Sequence, residues 1–172
     1  MKKICVTGAT GFIGSAIIQS LAEQGIDTLA LVRGNTKGAP GFKSASCDLN
    51  SLHSLRVELL MGCDVLIHFA AILPGKKSVS SNQKEEFAAV NFKATVKLAK
   101  LAATAKIKRF IFLSSIKVNG ESTNLSDSFE SGTLEAPSCD YAKSKFMAEK
   151  ELMAIAARTG MEVVIIRPPL VY

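Results

Sequence analysis

The run TGATGFIG places Gly8, Gly11 and Gly14 at G-x-x-G-x-x-G spacing between a short β-branched segment and an apolar-periodic one. Residues 3–7 read as a strand, and residues 12–24 as a helix with Ile13, Ile17 and Leu21 on one face, ended by Gly25. Residues without Cβ allow the chain to turn tightly and let its backbone approach a pyrophosphate, while the helix N-terminus faces the phosphates. An ordinary turn and helix start would use the same glycines, so the motif gains its force from the rest of the chain.

Beyond the turn, strands and helices alternate. Further strands are expected over residues 28–32, 42–46, 64–69, 109–113 and 161–166. Phe87, Asn91, Ala94, Leu98, Leu101 and Ala105 form one helical stripe within residues 82–105. A second helix starts near Ser138, runs to about Arg158 and ends at Gly160, with Tyr141, Lys145, Ala148, Leu152 and Ile155 on one face. Residues 34–41 read as a glycine-rich loop and residues 119–138 as a long, polar functional loop. Strands alternating with helices imply a doubly wound parallel sheet, a three-layer αβα fold of Rossmann type in one domain over residues 1–172. A chain of 172 residues with 48% hydrophobic residues is long enough for one full core.

Several function classes recede. No apolar run approaches the roughly 20 residues of a membrane span, and the N-terminus enters glycine-rich sequence directly, so a cytoplasmic chain without a membrane partner is expected. Cys5, Cys47, Cys63 and Cys139 stand singly, without metal-ligand spacing, and read as reduced, mostly buried side chains; no metal site is expected. The net charge of +6 is spread along the chain apart from short clusters, so no nucleic-acid partner is expected.

Two residues bear on the choice of dinucleotide. An NAD site commonly carries an acidic residue about 20 positions after the turn, whereas an Arg suits a 2′-phosphate. The second strand ends in Arg33 with no acid beside it, which leans the reading from NAD toward NADP; a merely exposed Arg33, or one stacked on adenine, is the other reading. Asp48 could accept a hydrogen bond from an adenine amino group or start the helix expected after it.

The motifs TGATGFIG, the CDL at residues 47–49, HFAA at 68–71, VN at Val90 and Asn91, LSSIKVNG at 113–120, YAKSK at 141–145 and RPPLVY at 167–172 fall in order. Together they resemble the extended short-chain dehydrogenases, the NAD-dependent epimerase/dehydratase family, which includes nucleotide-sugar 4-epimerases, 4,6-dehydratases and 4-reductases. The resemblance implies a catalytic set of Ser115, Tyr141 and Lys145, supported by Asn91. It places NAD(P) against Gly8, Thr10, Gly11, Phe12, Ile13 and Gly14 of the turn and Arg33 after the second strand. Asp48 and Leu49 follow the third strand, Phe69, Ala70 and Ala71 the fourth, Ser114 the fifth and Pro168 the sixth; Tyr141 and Lys145 complete the cofactor set. Asn119 departs from the pattern, since the family often has Tyr there. The resemblance also implies a nucleotide-sugar substrate, a UDP-sugar, for the full-length form. It implies a homodimer through the helices over residues 82–105 and 138–158. Family members continue well past RPPLVY, so this chain is expected to stop before the substrate-binding half and to expose apolar surface where that half would pack.

Tyr141 and Lys145 stand at i and i+4, so both rise from one helical face. An ammonium near a phenol is expected to lower its pKa, and the phenolate would take a proton from a sugar hydroxyl while hydride leaves that carbon. Ser115, at a strand end, would hydrogen-bond the same oxygen. Ile116 and Lys117 come directly after Ser115 where a dehydratase would use an acidic pair, which leaves a 4-epimerase or 4-reductase. The alternative from another class is a non-catalytic NAD(P)-sensing module, against which the intact Tyr141 and Lys145 count. His68, in an apolar strand, reads as structural, and His53 as solvent-facing.

Overall fold

In a computed structural model, residues 2–34, 42–75, 82–123, 128–131 and 137–172 are described. Most of the expected loop over residues 34–41, and parts of the one over residues 119–138, lie outside them.

Six short strands form one parallel sheet: β1 (Ile4–Thr7), β2 (Thr28–Val32), β3 (Lys43–Ser46), β4 (Val65–His68), β5 (Arg109–Leu113) and β6 (Glu162–Ile166). Their order is β3-β2-β1-β4-β5-β6, so the winding reverses between β1 and β4. In such sheets the crevice beyond the carboxyl ends at the reversal receives ligands.

Because successive strand residues point to opposite faces, the sheet has two cores. Val6, Ala30, Val32 and Ile67 pack with Ile18 of α1 (Phe12–Glu23) on one face. Cys5, Leu31, Leu66, Phe110 and Phe112 face the other way, against Leu98, Ala99 and Ala102 of α3 (Thr95–Thr104) and Ala148, Leu152 and Ile155 of α4 (Asp140–Thr159). α4 ends at Gly160 in the left-handed conformation, φ 74°, where the missing Cβ removes the strain. Cys5, Cys47 and Cys63 are buried thiols without disulfides. Beyond β6 the apolar side chains of Leu170, Val171 and Tyr172 are exposed, as is Ile166 at its end. Among the described residues no helix is long and apolar enough to cross a membrane.

Two expectations need correction. The helix over residues 82–105 is not uniform: α2 (Gln83–Glu86) passes into a π-helical segment, Phe87–Ala94, before α3. The wider turn broadens the buried stripe: Phe87, Asn91, Ala94 and Leu98 are buried as expected, Ala99 and Ala102 are buried beside them, and Leu101 and Ala105 pack on the core half-buried. No α-helix comes after Asp48 either; two 3-10 turns, Leu52–Ser54 and Val57–Leu60, span the stretch to β4.

Candidate dinucleotide and catalytic site

The glycine turn is tight because it packs against its own surroundings. Gly8 has φ +72°, and a Cβ there would lie 2.5 Å from the Ala70 nitrogen; a Cβ on Gly14 would lie 2.0 Å from the Gly8 oxygen. Protein packing therefore demands both glycines, whatever binds. At Gly11 a Cβ would meet only the Gly8 oxygen, at 3.2 Å, so internal packing explains this glycine least. Gly11 is also the N-cap of α1, with no side-chain cap and no acidic residue in the first turn. The first N–H groups of α1 are thus left for an outside acceptor, and the helix dipole favours an anion there. Thr10 and Phe12 are exposed at this tip and Ile13 is half-buried.

The neighbouring strand exits are fixed by hydrogen bonds. The Phe69 N–H donates to the Thr7 carbonyl at 3.2 Å, and the Ala70 N–H to the Thr7 hydroxyl at 3.4 Å. Asn91, fully buried in the π segment, holds the segment after Ala71: its Oδ1 accepts from the Ile72 N–H at 2.8 Å and its amide donates to the Ile72 carbonyl at 3.0 Å. The same amide reaches the Ser144 hydroxyl of α4 at 3.3 Å, so one side chain ties the β4 exit to α4. The Ser114 N–H donates to the Ile166 carbonyl at 2.7 Å and the Ile116 N–H to the Pro168 carbonyl at 3.0 Å, which zips the β5 and β6 exits together. The Ser114 hydroxyl is buried and has no partner among the described residues. An orphan polar atom at the β5 exit and an uncapped helix start after β1, on the same edge of the sheet, fit an extended polar, anionic ligand such as a dinucleotide.

Tyr141, Lys145 and Ser115 converge from α4 and the β5 exit. Tyr141 is buried, lies edge-on to Phe87 at 5.6 Å and has Ser115 as a polar neighbour. Lys145 is buried, donates to the Leu113 carbonyl at 2.8 Å and lies 4.5 Å from the centre of the Phe112 ring. Among the described residues no hydrogen bond joins Lys145 to Tyr141. Burial pushes the Tyr141 phenol above its ordinary value, against the lowering influence of the nearby Ser115 hydroxyl. Burial also brings Lys145 down to about 7, against the raising charge of Glu149. The expected lowering of the phenol by a neighbouring ammonium is therefore reversed, because desolvation outweighs the influence of the Ser115 hydroxyl.

Of the remaining expected residues, Arg33 is exposed past β2 and makes no hydrogen bond or ion pair among the described residues. Asp48 turns one oxygen to its own loop, accepting from the Asn50 backbone at 3.0 Å and the Asn50 side-chain amide at 2.9 Å, while Leu49 packs on the core. His68 is buried between the Thr7 hydroxyl at 2.6 Å and the Thr95 hydroxyl at 2.9 Å, a structural placement. Sequence reasoning missed Glu149 and the partners of Arg167. Their one signal was a carboxylate four residues beyond Lys145, on the buried face of α4.

Residues 4–172 match the NAD dependent epimerase/dehydratase family. The chain is 38% identical over 172 residues to UDP-glucose 4-epimerase of Vibrio cholerae, covering 99% of this chain and 52% of that protein. It is 31% identical over 187 residues to the decarboxylating sterol-4-alpha-carboxylate 3-dehydrogenase of Dictyostelium discoideum, covering 100% of this chain and 54% of that protein. Among solved structures, UDP-glucuronic acid 4-epimerase from Bacillus cereus in complex with NAD aligns with a TM-score of 0.80 at 25% identity, over 99% of this chain and 57% of that one. The chain thus spans about half the length of the relatives it matches. With the sheet order, the glycine turn and the family match in agreement, this chain belongs to the NAD dependent epimerase/dehydratase family.

Proposed function

We propose that this chain is the cofactor-binding portion of an NAD(P)-dependent nucleotide-sugar epimerase or reductase, with Tyr141 moving the proton and Ser115 and Lys145 supporting it. One observation carries the reading: the uncapped start of α1, the exits of β4 and β5 and the neighbouring Tyr141 and Ser115 share the carboxyl edge of one parallel sheet. A bound NAD(P) would supply the hydride acceptor or donor for a sugar carbon. Tyr141 takes the proton of the sugar hydroxyl as a phenolate and returns it as a phenol, while Ser115 holds the same oxygen. The upward push on Tyr141 keeps it protonated in the free protein, which suits the proton-donating, reductive direction.

The similarity to a UDP-glucose 4-epimerase supports a UDP-sugar substrate, and Ile116 and Lys117 after Ser115 support epimerisation or reduction over dehydration. A cytoplasmic homodimer through the two long helices belongs to the same reading, and the exposed Met147 and Met153 on α4 support it. For the cofactor we read a preference for NADP from Arg33, exposed at the end of β2 without an acidic residue at that strand end.

Titration of this chain with NADPH and NADH, followed by nucleotide fluorescence, tests the site and the preference together. Tighter binding of NADPH that Arg33→Asp abolishes is the expected result. Tighter binding of NADH would overturn the preference alone, and binding of neither at millimolar concentration would overturn the function.

A further inference from the structure

Arg167, just beyond β6, reaches three separate segments. Its Nε and Nη2 grip both oxygens of Glu149 on α4, at 3.0 and 2.7 Å, in a fork that a lysine could not make. Its Nη1 donates to the Asn119 side-chain oxygen and to the Ser131 carbonyl, each at 3.2 Å. The Asn119 amide in turn donates to the Glu130 carbonyl at 2.7 Å. Asn119, which departs from the family's usual Tyr, closes the short turn just after Ser115, Ile116–Val118. The side chains of Glu149 and Arg167 are 3% and 15% exposed, so this is a desolvated pair rather than a surface one.

Glu149 stands four residues beyond Lys145 on the same helical face. The groups that face Lys145 can be named from each element packed on it. α4 brings Tyr141 and Glu149, β5 brings the Phe112 ring and the Leu113 carbonyl, and β4 brings His68, which burial keeps neutral between its two hydroxyl partners. Arg167 lies behind Glu149. Glu149 is thus the anion that opposes the desolvation of Lys145, and Arg167 fixes where that anion sits.

We propose that Glu149 and Arg167 are positioning residues for the catalytic set: Glu149 holds the charge on Lys145, and Arg167, through Asn119, locks Glu149 to the turn that carries Ser115. The proposal rests on the catalytic role proposed for Lys145, yet its physical content can be measured in this chain without cofactor or substrate. A pair that only braced the fold would leave the titration of Lys145 where it is.

The test is NMR of side-chain-labelled lysines across a pH series, with the Lys145 signal assigned by its loss in Lys145→Met. In Glu149→Gln the Lys145 midpoint is expected to fall by about one pH unit, as loss of a nearby opposite charge would cause. Since Glu149→Gln leaves Arg167 buried without its counter-charge, the double variant Glu149→Met/Arg167→Met is measured alongside it. Replacing both members of a buried pair by apolar side chains is commonly tolerated by the fold, and the same downward shift is expected there. A folded variant of either kind whose Lys145 titrates at the original midpoint would overturn the proposal. That result would leave dinucleotide binding, scored separately, untouched.

Discussion

Thr95 donates its one hydroxyl hydrogen to the Asn91 carbonyl at 2.9 Å, so toward His68 it accepts, and His68 carries its proton on Nε2. The bare Nδ1 then accepts from Thr7, and the ring is satisfied while neutral. Burial, with Lys145 adding to it, brings the His68 pKa down to about 3. The unfolded chain takes up this proton below about 6.5, whereas the folded one resists it until far lower, so stability is present above pH 6.5 and lost as pH falls toward 3. Between pH 7 and pH 5 the loss from this residue is about 2 kcal/mol. Urea unfolding midpoints across that range should fall with acid in the wild type and fall less in His68→Gln. Equal slopes would mean that the ring is protonated in the fold. The sequence identified His68 as structural from its apolar strand, but its partners were illegible, because Thr7 and Thr95 lie 61 and 27 residues away.

Elements add constraints that single residues do not reveal. In the unit β1–turn–α1, Gly14→Ala would drive a methyl group to 2.0 Å from the Gly8 oxygen. It should cost more than about 3 kcal/mol or prevent folding. Gly11→Ala meets only a 3.2 Å contact, and thermal unfolding should place its cost below about 1 kcal/mol. Dinucleotide binding by Gly11→Ala should nonetheless be lost, since the methyl projects where the phosphates would approach. A stable Gly11→Ala that binds as well as the wild type would move the phosphates elsewhere. The spacing of the three glycines was plain in the sequence, but their separate duties were not, because two of them answer to neighbouring backbone. The π segment was equally hidden: the apolar stripe reads as an ordinary helix until Asn91 is seen clamping Ile72.

At the scale of the whole molecule, strand–helix alternation was enough to reach the parallel sheet, and all six strands fall within a few residues of their expected places. Alternation works because every strand is short and all but the polar β3, Lys43–Ser46, are rich in apolar residues. It cannot supply the polar wiring among strand exits, where Arg167 reaches Glu149, Asn119 and Ser131 from 18, 48 and 36 residues away. The sheet order explains why these exits collect on one edge, with the winding reversing between β1 and β4. A hollow lined by Ala22, Ile26, Asp27 and Lys43 lies at the opposite edge, where the turn before β2 meets the start of β3, and so away from Tyr141 and Lys145. The proposed dinucleotide site thus lies at the carboxyl edge, apart from that hollow. Amide NMR shifts recorded while NADPH is added to this chain test it most directly. Perturbations should gather at Gly11, Phe12, Ile13, Ala70 and Ser114. Shifts confined to the hollow around Ile26, or none at saturating nucleotide, would contradict a site at that edge.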